Sequence, residues 1–92
     1  YNPSMLVIDD MRMTIGVDVA IAFKVYNNGR ITGKVRCNYG RGIGGELGAL
    51  FGGGGHPYAA GFKTTDGTSY DDLKNKVISE GNRLLDELEA KQ

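Results

Sequence analysis

The sequence predicts an α/β fold: a small mixed β-sheet of about four or five strands with a β-hairpin, flanked by helices that include a long C-terminal one. Three observations carry this. Val17, Val19, Ile21, Phe23 and Val25 alternate with Asp18, Ala20, Ala22, Lys24 and Tyr26, the period-two pattern of a strand with one apolar face. Asn27-Asn28-Gly29 follows, and these residue types tolerate the backbone of a tight reversal into a second strand. Near the end, Leu73, Val77, Leu84 and Leu88, with Ile78 and Leu85 beside them, form a stripe at helical spacing. With 92 residues the chain is expected to be one domain, residues 1–92, whose modest core leans on a partner domain.

In chain order, residues 5–8 are a continuous apolar run that predicts a short buried strand closed by Asp9-Asp10. Two adjacent aspartates raise a metal reading, but hard cations need several convergent oxygens and the next carboxylate is Asp18. Solvated turn or helix-start residues are the better reading, with a brief helical turn over residues 11–16. After the hairpin, Ile31, Gly33, Val35 and Cys37 fall on one face, and Thr32, Lys34, Arg36 and Asn38 on the other.

Gly40-Arg41-Gly42-Ile43-Gly44-Gly45 matches the spacing of a dinucleotide-binding fingerprint, which requires parallel strands around its helix. A chain whose longest strand pair reads as an antiparallel hairpin supplies them poorly. Ile43, Leu47, Leu50 and Phe51 instead give a short helix one apolar face. Its glycines Gly44, Gly45 and Gly48, each costing about 1 kcal/mol against alanine, imply that something lies tightly against it.

Phe51-Gly52-Gly53-Gly54-Gly55-His56-Pro57-Tyr58-Ala59-Ala60-Gly61-Phe62 organises the rest. Consecutive glycines are costly to order unless backbone must approach something closely. Apolar residues on both sides argue against a flexible linker. Clustered amides can point at an anion, and the only histidine adds a side-chain donor. Pro57 holds His56 extended, leading into a short strand whose Ala59, Ala60 and Gly61 permit close approach of a neighbour. Residues 64–68 read as a polar loop turning at Asp66-Gly67, and Ser69 with Asp72 three residues on reads as a helix N-cap.

Formal net charge is zero but unevenly spread. Residues 20–64 carry six basic side chains against one acidic, a net of +5, while residues 1–19 carry −2 and residues 65–92 carry −3. A basic middle around a glycine-rich loop suits a small phosphate-bearing ligand better than a long duplex. One cysteine excludes an internal disulfide, and one Cys with one His cannot supply a four-ligand structural zinc site. No leader-like segment and no apolar run of about 20 residues occurs, so no membrane contact is expected and the location reads as soluble and cytoplasmic. An opening on Tyr1 reads as a cut from a longer protein or as a processed N-terminus.

The glycine run ending in His56, followed by Ala59-Ala60-Gly61-Phe62, resembles the signature of the DHH-associated domain, the C-terminal substrate-binding domain of DHH-family phosphoesterases. In that family the strand before the glycine loop ends in a Ser-x-Arg-Ser-like stretch. Lys34-Val35-Arg36-Cys37-Asn38 matches it at Arg36 and departs from it at Lys34 and Cys37. The resemblance implies substrate binding by Arg36, Asn38, Gly53, Gly54, Gly55 and His56, with no catalytic or metal-binding residue here. It implies an N-terminal DHH catalytic domain as partner, holding two divalent metal ions such as manganese. It implies a short single-stranded nucleic acid or nucleotide phosphate as ligand, as in RecJ-type exonucleases and nanoRNase-like oligoribonucleases, and leaves a homodimer open.

Three other classes compete: a stand-alone nucleotide- or RNA-binding module, a fragment of a dinucleotide-dependent oxidoreductase, and a cysteine hydrolase using Cys37 and His56. The last lacks a nominated orienting residue.

Overall fold

A computed structural model describes residues 6–64 and 67–91. The elements in order are β1 (Val7–Ile15), β2 (Val19–Tyr26), β3 (Ile31–Cys37), α1 (Gly44–Leu50), β4 (Gly54–His56), β5 (Ala59–Thr64) and α2 (Tyr70–Ala90). The strands form one five-stranded sheet in the order β1-β2-β3-β5-β4, and every ladder is antiparallel.

The β2–β3 hairpin follows the sequence pattern closely. The Tyr26 N–H donates to the Arg30 carbonyl at 2.8 Å, Gly29 takes the positive φ of 87° that the turn needs, and Val25 pairs with Ile31. Val19, Ile21 and Phe23 of β2 and Ile31 and Val35 of β3 are buried on one face. Both helices cover that face. Leu73, Val77 and Leu84 of α2 and Leu47 of α1 join the strand residues in a single core, each contributing about 1.5–3 kcal/mol by leaving water. Ser69 caps α2 as expected, its hydroxyl accepting from the Asp72 N–H at 3.2 Å.

The N-terminal expectations need correction. Asp9-Asp10 does not close a buried strand, and residues 11–16 form no helical turn: β1 runs through both, paired to β2 from Val7 to Ile15. Pairing to a strong neighbouring strand overrides weak local preference. Because β1 is an edge strand, Leu6, Val7 and Ile8 are exposed, and Asp9 and Asp10 point to opposite faces and cannot converge on a metal. Val17 stands 88% exposed at the turn rather than in the apolar face, and Leu50 is exposed because α1 ends there. Met5 and Asp66, and so those parts of the expected first strand and of the 64–68 turn, lie outside the described residues.

The glycines of α1 do face a close neighbour. A Cβ on Gly44 would lie 2.8 Å from the Pro57 carbonyl oxygen, and one on Gly45 2.9 Å from that of Gly55. The apparent dinucleotide fingerprint therefore serves to seat α1 against the His56-Pro57 segment. The sheet offers it no adjacent parallel pair.

Candidate phosphate-binding face

The register brings distant residues into line. Thr14, Ala20, Arg36, Ala59 and His56 form one row across all five strands, and Arg12, Ala22, Lys34, Gly61 and Gly54 form the next. Residues directly opposite share a face of the sheet, here the face away from the helices, where Thr14, Ala20, Lys34, Arg36, Ala59 and His56 are all exposed. Arg36 and His56 are thus two strand spacings apart, about 10 Å, with only the Ala59 methyl group between them. An open concavity of about 660 Å³ adjoins the row, lined by Arg12, Thr14, Ala20, Ala22, Lys34 and Arg36 among others. Its lining holds three cations and no carboxylate.

Each donor is oriented by its surroundings. The Arg36 guanidinium donates one N–H to the Val35 carbonyl at 3.1 Å, one of its five donors. His56 Nδ1 accepts from the Tyr58 N–H at 3.4 Å, so in the neutral ring Nε2 carries the proton and donates. Arg41, close in sequence, differs: its Nε lies 3.4 Å from Asp18 Oδ2, which offsets its charge. Asn38 is drawn to the same turn, its side-chain amide donating to Asp18 Oδ1 at 3.3 Å and to the Val17 carbonyl at 3.4 Å.

The glycine run divides by task. The Gly53 N–H donates to the Gly48 carbonyl at 2.9 Å and so closes the end of α1. Gly54, Gly55 and His56 form β4, the strand at the sheet edge, where antiparallel pairing engages only alternate amides. Gly53 is also where backbone comes closest, since a Cβ there would overlap the Gly61 carbonyl oxygen.

Cys37 sits on the other face, beside Val19, packed against the core. Burial pushes its thiol up from the usual value, against weaker lowering by hydrogen bonds to the Ile43 and Gly44 backbone. A sheet separates it from the face of His56, which removes the cysteine-hydrolase pairing. Among the described residues no three His, Cys, Asp or Glu side chains converge, so these residues do not fit a two-metal centre. No helix of the described residues is long and apolar enough to cross a membrane.

Sequence reasoning missed Arg12, which lines the concavity from β1. The alternation of Met11, Met13 and Ile15 with Arg12 and Thr14 was the available signal. It also missed Tyr39 and Tyr58, which meet beside His56.

An antiparallel sheet with helices on one face, and an uncovered face that carries Arg12, Lys34 and Arg36 and ends in a glycine-histidine edge strand, defines a small α/β domain. The sequence model of the DHHA1 domain matches residues 4–82, and the chain belongs to that family, the DHH-associated domain of DHH-family phosphoesterases. Membership implies a DHH catalytic domain as partner, and nucleic-acid or nucleotide binding in general. No curated protein and no solved structure matches the chain.

Proposed function

We propose that this domain is the substrate-binding lobe of a metal-dependent DHH-family phosphoesterase of the exonuclease or oligoribonuclease type, and that it holds a phosphate of a short single-stranded nucleic acid or nucleotide. The observation that carries the reading is the row in which Arg36 and His56 flank Ala59 on the uncovered face. Arg36 offers a planar, permanently charged fork, His56 an Nε2 donor, and the one amide of the Gly54-Gly55 pair that points away from β5 a further donor at the end of the row. Lys34 and Arg12 extend the positive field along the next row, which draws the chain of phosphates across the sheet. Gly53 acts through its position, since its amide is engaged by α1. Asn38 would have to release two long hydrogen bonds to reach a phosphate, so it serves to fix the loop after β3. The lobe binds and orients; bond cleavage belongs to the catalytic domain.

The test is titration of this chain with a 5′-phosphorylated diribonucleotide. Arg36→Ala is expected to weaken binding by about thirtyfold to a hundredfold, the ~2–3 kcal/mol of a lost hydrogen bond to a charged group. His56→Ala is expected to act in the same direction. Undiminished binding by both variants overturns the assignment.

A further inference from the structure

Beyond the Arg36–His56 row the sheet ends in two tyrosines. Tyr39, in the loop after β3, keeps 95% of its surface exposed. Its ring lies within 13° of parallel to that of Tyr58, with centroids 6.0 Å apart. Tyr58, between β4 and β5, is the anchored member of the pair. Its carbonyl accepts from the Cys37 N–H at 3.0 Å and its hydroxyl from the Gly40 N–H at 3.4 Å. Gly42 leaves space for the ring, since a Cβ there would lie 3.1 Å from Tyr58 Cε1. The His56 ring lies beside Tyr58, with centroids 5.9 Å apart.

We propose that Tyr39 and Tyr58 form a stacking surface for the nucleobase of the nucleotide whose phosphate lies on the Arg36–His56 row, a reading that rests on the phosphate assignment above. Scattered exposed aromatic residues need no explanation. Two near-parallel rings that continue directly from the phosphate-facing imidazole are different: they set flat apolar surface beside a cationic row, the two chemistries that a nucleotide presents together. Tyr58 is fixed by its neighbours, while Tyr39, on a loop, can close on a planar heterocycle. Such stacking accepts any base, because every base has a π-face. The pair therefore selects nucleotides over inorganic polyphosphate without selecting among bases. The base can come from a short strand or from a free nucleotide.

Calorimetric titration of the full 92-residue chain tests this with 5′-phosphorylated diadenylate, adenosine monophosphate and inorganic tripolyphosphate, using Tyr39→Ala, Tyr39→Phe and Arg36→Ala. Tyr39→Ala is expected to weaken both adenine probes by roughly fivefold to a hundredfold, and Tyr39→Phe to restore them. Tripolyphosphate binding should be the same in all but Arg36→Ala. Tighter binding of diadenylate than of the monophosphate identifies a strand as the source of the base, and equal binding a free nucleotide. Undiminished adenine binding by Tyr39→Ala, with all three probes weakened in Arg36→Ala, overturns the stacking surface and leaves the phosphate row standing. Undiminished binding of every probe by Arg36→Ala removes the phosphate row, and the stacking proposal with it.

Discussion

Arg36 and His56 are both registered on Ala59, so a methyl group is all that stands between an arginine and a histidine two strands apart. Neither residue is near the other in sequence. The antiparallel return of β5 between β3 and β4 creates the row, and the small residue at its centre keeps it open.

That gap is testable without touching either donor. Ala59→Leu puts a branched side chain where a phosphate would sit, and we expect roughly tenfold to hundredfold weaker binding of a 5′-phosphorylated diribonucleotide, about the value of one charged hydrogen bond. Position 59 is exposed, so stability should stay within about 0.5 kcal/mol. Titration and a urea melt of one sample check both halves; full binding by a folded variant would show that the gap holds no ligand.

Gly45→Ala should destabilise, against the helix-propensity gain of about 1 kcal/mol. The added Cβ would lie 2.9 Å from the Gly55 carbonyl oxygen, and backbone cannot rotate out of the way as a side chain can. We expect a net loss of up to about 2 kcal/mol, the usual overpacking cost of about 1–3 kcal/mol less the helix gain, read from urea melts.

The hairpin, the α2 stripe and the close packing of α1 were legible because each is a short-range pattern: alternation over β2, spacing from Leu73 to Leu88, glycines against a costly background. β1 was not, since methionine is at home in helix and strand alike and only pairing to β2 decides between them. Leu50 misled because a seven-residue helix is too short for its stripe to stay covered. Arg36 and His56 could be nominated singly, but their alignment depends on strand order, which no local pattern encodes. The meeting of Tyr39 and Tyr58 depends on the same order.

Cys37 gives a pH dependence with a defined sign. Its thiol is pushed up by burial, so the folded chain holds this proton more tightly than the unfolded one. Its contribution to stability is complete below the unfolded thiol value, about 8.5, and is lost as pH rises through the higher folded value. Urea melts from pH 7 to 10 should therefore fall more steeply for the unmodified chain than for Cys37→Ala. At pH 7.5 iodoacetamide should label folded Cys37 roughly tenfold more slowly than unfolded, because thiolate and access are both reduced.

Gly81 lies in the middle of α2, where glycine costs about 1 kcal/mol against alanine, yet a Cβ there would overlap Ile15 Cδ1 at the end of β1. Ile15 is buried in the core, so its side chain can yield only by leaving a packed position. Gly81→Ala alone is therefore expected to destabilise by about 1 kcal/mol, the overpacking cost exceeding the helix gain. Ile15→Val removes the one atom in conflict, at about 0.5–1.5 kcal/mol for the lost methyl group. With that atom gone, Gly81→Ala should become stabilising by about 0.5–1 kcal/mol, so the same substitution changes sign between two backgrounds. A double-mutant cycle from urea melts measures this directly, with an expected coupling of about 1.5–2 kcal/mol. Additive effects would mean that α2 rides over β1 without contact at this position, and that the glycine answers to some other constraint.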